Sequence, residues 1–147
     1  MSMFTLSLSH HAAPLDLRAR FAFAPEQLPG ALRSLRERLG RGAPELALLS
    51  TCNRTELYVA PQGGSATDAL LPPTLDWLAE QGCTSAPALQ PHLRLVQHAD
   101  AARHAFRVAA GLDSMVLGEP QILGQIKLAV REAGQAGTLG STLHQLF

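Results

Sequence analysis

The chain reads as an α+β protein: a four-stranded antiparallel sheet in the order β-α-β-β-α-β, with additional C-terminal helices. Three observations predict this. Four short β-type runs occur, at residues 3–9, 45–50, 56–60 and 92–97, several with the period-two alternation of a strand. Leucines recur at three- and four-residue spacing between the first and second runs, and again between the third and fourth, as on an amphipathic helix. No helical pattern separates the middle two.

The elements follow in order. In Met3–Ser9, Phe4, Leu6 and Leu8 alternate with small polar residues, so the first strand is expected to bury one side. Pro14 and a basic loop come next. Pro25 opens a helix carrying Leu28, Leu32, Leu35 and Leu39, and Gly40 and Gly42 stop it. Glu45–Ser50 is the second strand and Glu56–Ala60 the third. Thr67 starts a helical segment with Leu70, Leu71, Leu75, Trp77 and Leu78 that Pro72 and Pro73 are expected to interrupt early. His92–Gln97 is the fourth strand, with Leu93 and Leu95 on one side. This arrangement is ferredoxin-like, with the helices on one face of the sheet. Asp100 reads as the cap of a helix over 101–110. A last helix is expected from about Pro120 to Ala133, with Gly134 and Gly137 beyond its end. Ser141–Phe147 begins a helical pattern and stops abruptly, as a boundary within a longer chain would.

Composition bounds the function. At 147 residues with 46% apolar residues the chain suits one folded domain. Formal net charge is zero, so a nucleic acid would have to be held by local contacts rather than a global field. Two cysteines, Cys52 and Cys83, are too few for a disulfide scaffold and make no Cys-x-x-Cys pair, which points to a reducing cytoplasm. No signal segment opens the chain, and no apolar run reaches the ~18 residues that span a bilayer. The His and Cys spacings match no metal site. No Gly-x-Gly-x-x-Gly follows a strand.

Cys52 is the leading chemical candidate. It lies in Ser50-Thr51-Cys52-Asn53-Arg54-Thr55-Glu56, among hydrogen-bonding neighbours and two residues before a guanidinium that would favour the thiolate. A thiolate attacks esters well and leaves a thioester that a hydride can reduce. The plainer reading is a small apolar residue at a strand end. His104, on the helix after the fourth strand, could polarise a carbonyl or shuttle a proton; a lone histidine there is more often packed or solvated. Between Gly111 and Gln125, Ser114, Glu119, Gln121 and Gln125 bring polar groups into an apolar run. Glu119 could meet a cationic ammonium group, although a carboxylate near a helix start is stabilising in any case.

Three blocks together resemble the glutamyl-tRNA reductase family. Leu8–Arg18 is similar to its opening block, Ser50–Tyr58 to its catalytic-cysteine block, and Gly111–Lys127 to its third block. The blocks fall in the family's order and span nearly the whole chain. Ser9 and Ala19 depart from it, standing where an Asn and an acidic residue are usual. The resemblance implies reduction of the glutamyl group of glutamyl-tRNA(Glu) to glutamate-1-semialdehyde with NADPH, the first step of tetrapyrrole biosynthesis by the five-carbon route. Cys52 then falls on the nucleophile and His104 on an activity-linked histidine. Arg54 falls on the holder of the substrate's side-chain carboxylate. Thr51, Asn53, Ser114, Glu119, Pro120, Gln121 and Gln125 fall on other glutamyl-site positions. The resemblance covers the catalytic domain, expected at 1–137, with 138–147 starting a helical linker. The NADPH and dimerisation domains are not matched. It further implies a cytoplasmic homodimer when full length, and an aminotransferase partner that takes the product. The competing reading is a non-catalytic RNA- or ligand-binding module.

Overall fold

The computed structural model describes residues 3–40, 44–51, 53–62, 67–109 and 121–146. The order is β1 (Phe4–Ser9), α1 (Leu15–Ala19), a 3₁₀ turn (Pro25–Gln27), α2 (Leu28–Leu39), β2 (Glu45–Ser50), β3 (Arg54–Ala60), α3 (Thr67–Gln81) and α4 (Ala86–Leu89). A second 3₁₀ turn (Gln90–His92) leads to β4 (Arg94–Gln97), α5 (His98–Ala109), α6 (Gln121–Ala136) and α7 (Ser141–Leu146). The four strands form one sheet in the order β2-β3-β1-β4, and every neighbouring pair is antiparallel.

Side chains alternate along a strand, and the register sets which ones share a face. Phe4, Leu6 and Leu8 of β1 lie opposite Val59, Leu57 and Thr55 of β3, and Leu46 and Leu48 of β2 join them. The segment before α2 is tied to this apolar face. Phe23 N donates to Ser50 Oγ at 3.0 Å, and Thr55 Oγ1 donates to the Phe21 carbonyl at 2.9 Å. Phe23 stacks on Trp77 of α3, so α2 and α3 cover this side.

The other face carries Thr5, Ser7 and Ser9 opposite Tyr58, Glu56 and Arg54. Here the structure departs from the expected pattern: every residue of β1 and β3 is buried. The C-terminal helices close over this face. His104 of α5 reaches Glu56. Glu45 accepts the Leu143 and Thr142 amides of α7 at 2.9 and 3.3 Å. A polar strand side is tolerated inside because Ser7, Arg54, Tyr58 and His104 all bond to Glu56, while the buried Thr5 hydroxyl finds no partner among the described residues.

Several boundaries differ from the sequence reading. β3 starts at Arg54, because pairing with Ser9 extends it. β4 is shorter than expected, and its buried residue is Val96; Leu95 is 43% exposed. α5 begins at His98, whose φ is 54°, and Asp100 sits in its first turn paired with Arg103. α3 runs through Pro72 and Pro73. The amides they lack would have met the carbonyls of Asp68 and Ala69, both on exposed residues that water can serve. α6 includes Gly134 and ends at Gly137, φ 76°. There Thr138 N bonds Ala133 O and Gly137 N bonds Gly134 O, a Schellman closure. The expected last residues of the preceding helix, beyond Ala109, lie outside the described residues.

Residues after 137 pack against the sheet. Thr138 O accepts from Leu46 N at 2.8 Å, and Thr138 Oγ1 donates to Leu46 O at 2.8 Å. They thereby cover part of the β2 edge.

Candidate functional site

The β2–β3 turn is held from several sides. Thr51 N donates to Arg54 O at 2.8 Å, while Thr51 Oγ1 accepts from the amides of Asn53 and Arg54 at 3.1 and 3.2 Å. This is the local bonding that threonine offers a turn. The Asn53 carbonyl accepts from His10 N at 3.1 Å and from Arg18 Nη1 at 3.4 Å. Arg18 is itself fixed by donation from Nε to Ala13 O at 3.1 Å. The segment 8–18 thus clamps the turn. Cys52 itself lies outside the described residues, but both of its chain neighbours are held.

On the apolar side of the turn is a cleft of ≈ 270 Å³, lined by Phe23, Leu28, Ser50, Thr51, Gln125 and Leu128 among others. It brings together Thr51 and Gln125, which the sequence separates by 74 positions. Its exposed walls are polar and apolar in about equal measure, with Ser50, Thr51 and Gln125 converging on it.

On the opposite face a buried cluster centres on Glu56. Its Oε2 accepts from Ser7 Oγ at 2.6 Å and from Arg54 Nη1 at 3.1 Å, and meets His104 Nε2 at 2.5 Å. Its Oε1 accepts from Tyr58 Oη at 2.7 Å. The side chains of Arg54, Glu56 and His104 are at most 3% exposed. Burial pushes the Glu56 carboxyl up, but hydrogen bonding and charge from His104, the Arg54 guanidinium and the Ser7 hydroxyl more than offset this. Its pKa lies below the ordinary value. Glu56 is therefore a carboxylate, and His104 Nε2 must be the donor to it. Nδ1 is the nitrogen left for other chemistry.

The structure brings His104 and Arg54 onto one carboxylate, and Thr51 and Gln125 onto one cleft, with the sheet between the two groups. Asn53 belongs to the turn itself. Ser114, Glu119 and Pro120 lie outside the described residues. Gln121 opens α6, but its side chain is not described. Sequence reasoning missed Glu56, Ser7 and Tyr58. The available signal was the alternation that puts Arg54, Glu56 and Tyr58 on one side of a strand. Among the described residues no group of three or more His, Cys, Asp or Glu could hold a metal ion. No described helix is long and apolar enough to cross a membrane.

The chain is 59% identical to a glutamyl-tRNA reductase of Polaromonas naphthalenivorans over its full length, covering 33% of that protein. It is 58% identical to one from Albidiferax ferrireducens, covering 34%. The solved glutamyl-tRNA reductase from Methanopyrus kandleri superposes with a TM-score of 0.70 at 26% identity, over 98% of this chain and 31% of that one. The chain thus spans about a third of the length of these relatives. Residues 6–147 match the family described as "Glutamyl-tRNAGlu reductase, N-terminal domain", and the chain belongs to that family.

Proposed function

We propose that this chain is the substrate-binding, thioester-forming domain of a glutamyl-tRNA reductase, acting in the first step of tetrapyrrole biosynthesis by the five-carbon route. The observation that carries the reading is the β2–β3 turn: Thr51 and Asn53, on either side of Cys52, are pinned beside a cleft that also holds Gln125. Relatives bearing the reductase name support the substrate class.

On this reading the Cys52 thiolate attacks the carbonyl carbon of the glutamyl ester. The C–S bond forms as the C–O bond to the tRNA ribose breaks. The ribose oxygen leaves and takes up a proton, and glutamate stays as a thioester. His104 is assigned that proton or the polarisation of the carbonyl, through Nδ1. Arg54 is assigned the substrate's side-chain carboxylate, which would have to share the guanidinium with Glu56. Thr51, Asn53, Ser114, Glu119, Pro120, Gln121 and Gln125 are assigned the remaining glutamyl contacts, Thr51 and Gln125 from the cleft across the sheet from the Glu56 cluster, with Glu119 meeting the ammonium group. The strand order, with α2 and α3 packed together, supports a ferredoxin-like scaffold for 1–137, with 138–147 leading toward further domains.

Reduction to the semialdehyde needs NADPH, and the residues present do not fit it. The sequence has no Gly-x-Gly-x-x-Gly, and every neighbouring strand pair of the described sheet is antiparallel, unlike the parallel sheet that seats a dinucleotide. No hydride step is derived for this chain. We assign that step to the two thirds of the relatives that the chain does not cover, along with homodimerisation. A cytoplasmic setting and hand-over of product to an aminotransferase belong to the same reading.

The test is direct. Incubated with glutamyl-tRNA carrying labelled glutamate and quenched in acid, the chain is expected to show one glutamyl adduct on Cys52 by peptide mass spectrometry. Cys52→Ser should bind the RNA and carry no adduct. No adduct in a folded sample supplemented with the remaining domains of a relative would end the catalytic reading in favour of a binding module.

A further inference from the structure

A second cleft, of ≈ 460 Å³, opens between β4 and α5, lined by Arg94, Leu95, Asp100, Arg103, His104 and Arg107 among others. Three guanidinia face one carboxylate there. Arg103 is paired with Asp100 at 2.7 Å. Arg94 and Arg107 are exposed, and neither has an ion pair among the described residues. His104 forms part of the wall, but its Nε2 is already engaged by Glu56. The cleft is therefore a local excess of positive charge on a chain whose formal net charge is zero.

From this we infer that the β4–α5 cleft binds the phosphodiester backbone of the RNA that delivers the ester. The inference rests on the reading that this chain's substrate is an aminoacyl-tRNA. Two observations favour RNA over an acidic protein segment. Planar guanidinium forks match phosphate oxygens in pairs, and Phe106, 63% exposed beside Arg107 on α5, offers a ring on which an unstacked base can rest. Position fits as well. Arg94 is in register with Ser7, and Ser7 with Glu56, so the cleft begins two strand spacings, about 10 Å, from the carboxylate shared by His104 and Arg54.

The experiment uses deacylated tRNA and fluorescence anisotropy. Both arginines are exposed, so the Arg94→Gln/Arg107→Gln double variant should melt like wild type. Its Kd for the RNA is expected to rise about tenfold or more near physiological salt, and the slope of log K against log salt to shrink by about two. A Kd within about twofold of wild type, or no RNA binding by wild type, overturns the inference. So does competition by polyglutamate as strong as by RNA of equal charge, which would reassign the cleft to acidic polypeptides. A separate arm measures acylation of Cys52 by a small glutamyl ester that lacks phosphates. Unchanged acylation in the double variant, with RNA binding lost, supports the inference. If wild type is not acylated at all while the variant still loses RNA affinity, the thioester reading fails and the cleft assignment stands.

Discussion

One carboxylate, that of Glu56, organises four side chains drawn from three elements. Removing one partner of a buried charge cluster leaves the others uncompensated, a loss of about 3–5 kcal/mol. The same pairing sets a pH dependence. The folded carboxyl titrates below its ordinary value, so its contribution is complete above the unfolded pKa of ~4.3 and is lost as pH falls through the lower folded value. Glu56→Gln removes that proton uptake. Between about pH 5 and pH 3, the Tm of wild type is expected to fall more steeply than that of Glu56→Gln in scanning calorimetry. Parallel curves would refute the role given to Glu56. Cys52 becomes a candidate on local grounds, its neighbours being adjacent in Ser50–Glu56. Glu56 shows locally only its alignment with Arg54 and Tyr58 on one strand side; His104, its closest partner, lies 48 positions away, and Ser7 reaches it only through strand register.

Elements with strong local signals were legible. β2 falls on Glu45–Ser50 as expected, and α2 ends at Gly40, φ 67°, where glycine's freedom is needed. Legibility failed where tertiary contact decides. β4 is a four-residue edge strand whose ends depend on pairing with β1. α1 and α4 are short helices in stretches that read as loop. α7 starts at Ser141 as expected, and a distant residue holds that start: Glu45, 2% exposed on β2, accepts two of its first amides. Glu45→Ala would leave those donors without an acceptor and is expected to cost about 1–3 kcal/mol. Urea unfolding would measure the loss. Amide exchange at Leu143 should accelerate beyond that of β1; equal acceleration throughout would mean the helix start does not depend on this contact.

At the scale of the molecule, the sheet is sandwiched, and the sequence disclosed only one of its two covered sides. Alternation in β1 looked like apolar-in, polar-out; it is apolar toward α2 and α3, polar toward α5. The C-terminal segment makes the difference. Deleting residues 121–147 would strip the Thr138 bonds from Leu46 and uncover Ala47 and Leu49. Such a chain is expected to self-associate through the freed β2 edge. Size-exclusion chromatography with light scattering would read this, and a stable monomer of native circular dichroism would count against it.

The polar row across β4, β1 and β3 also acts as an alignment key during folding. Ser7 meets Glu56 only in the observed pairing. A slip by a single residue would turn the carboxylate toward Leu6 and Leu8, at a desolvation cost no hydrocarbon neighbour could offset. The acid therefore proofreads strand assembly: a misaligned sheet is penalised as the helices close over it.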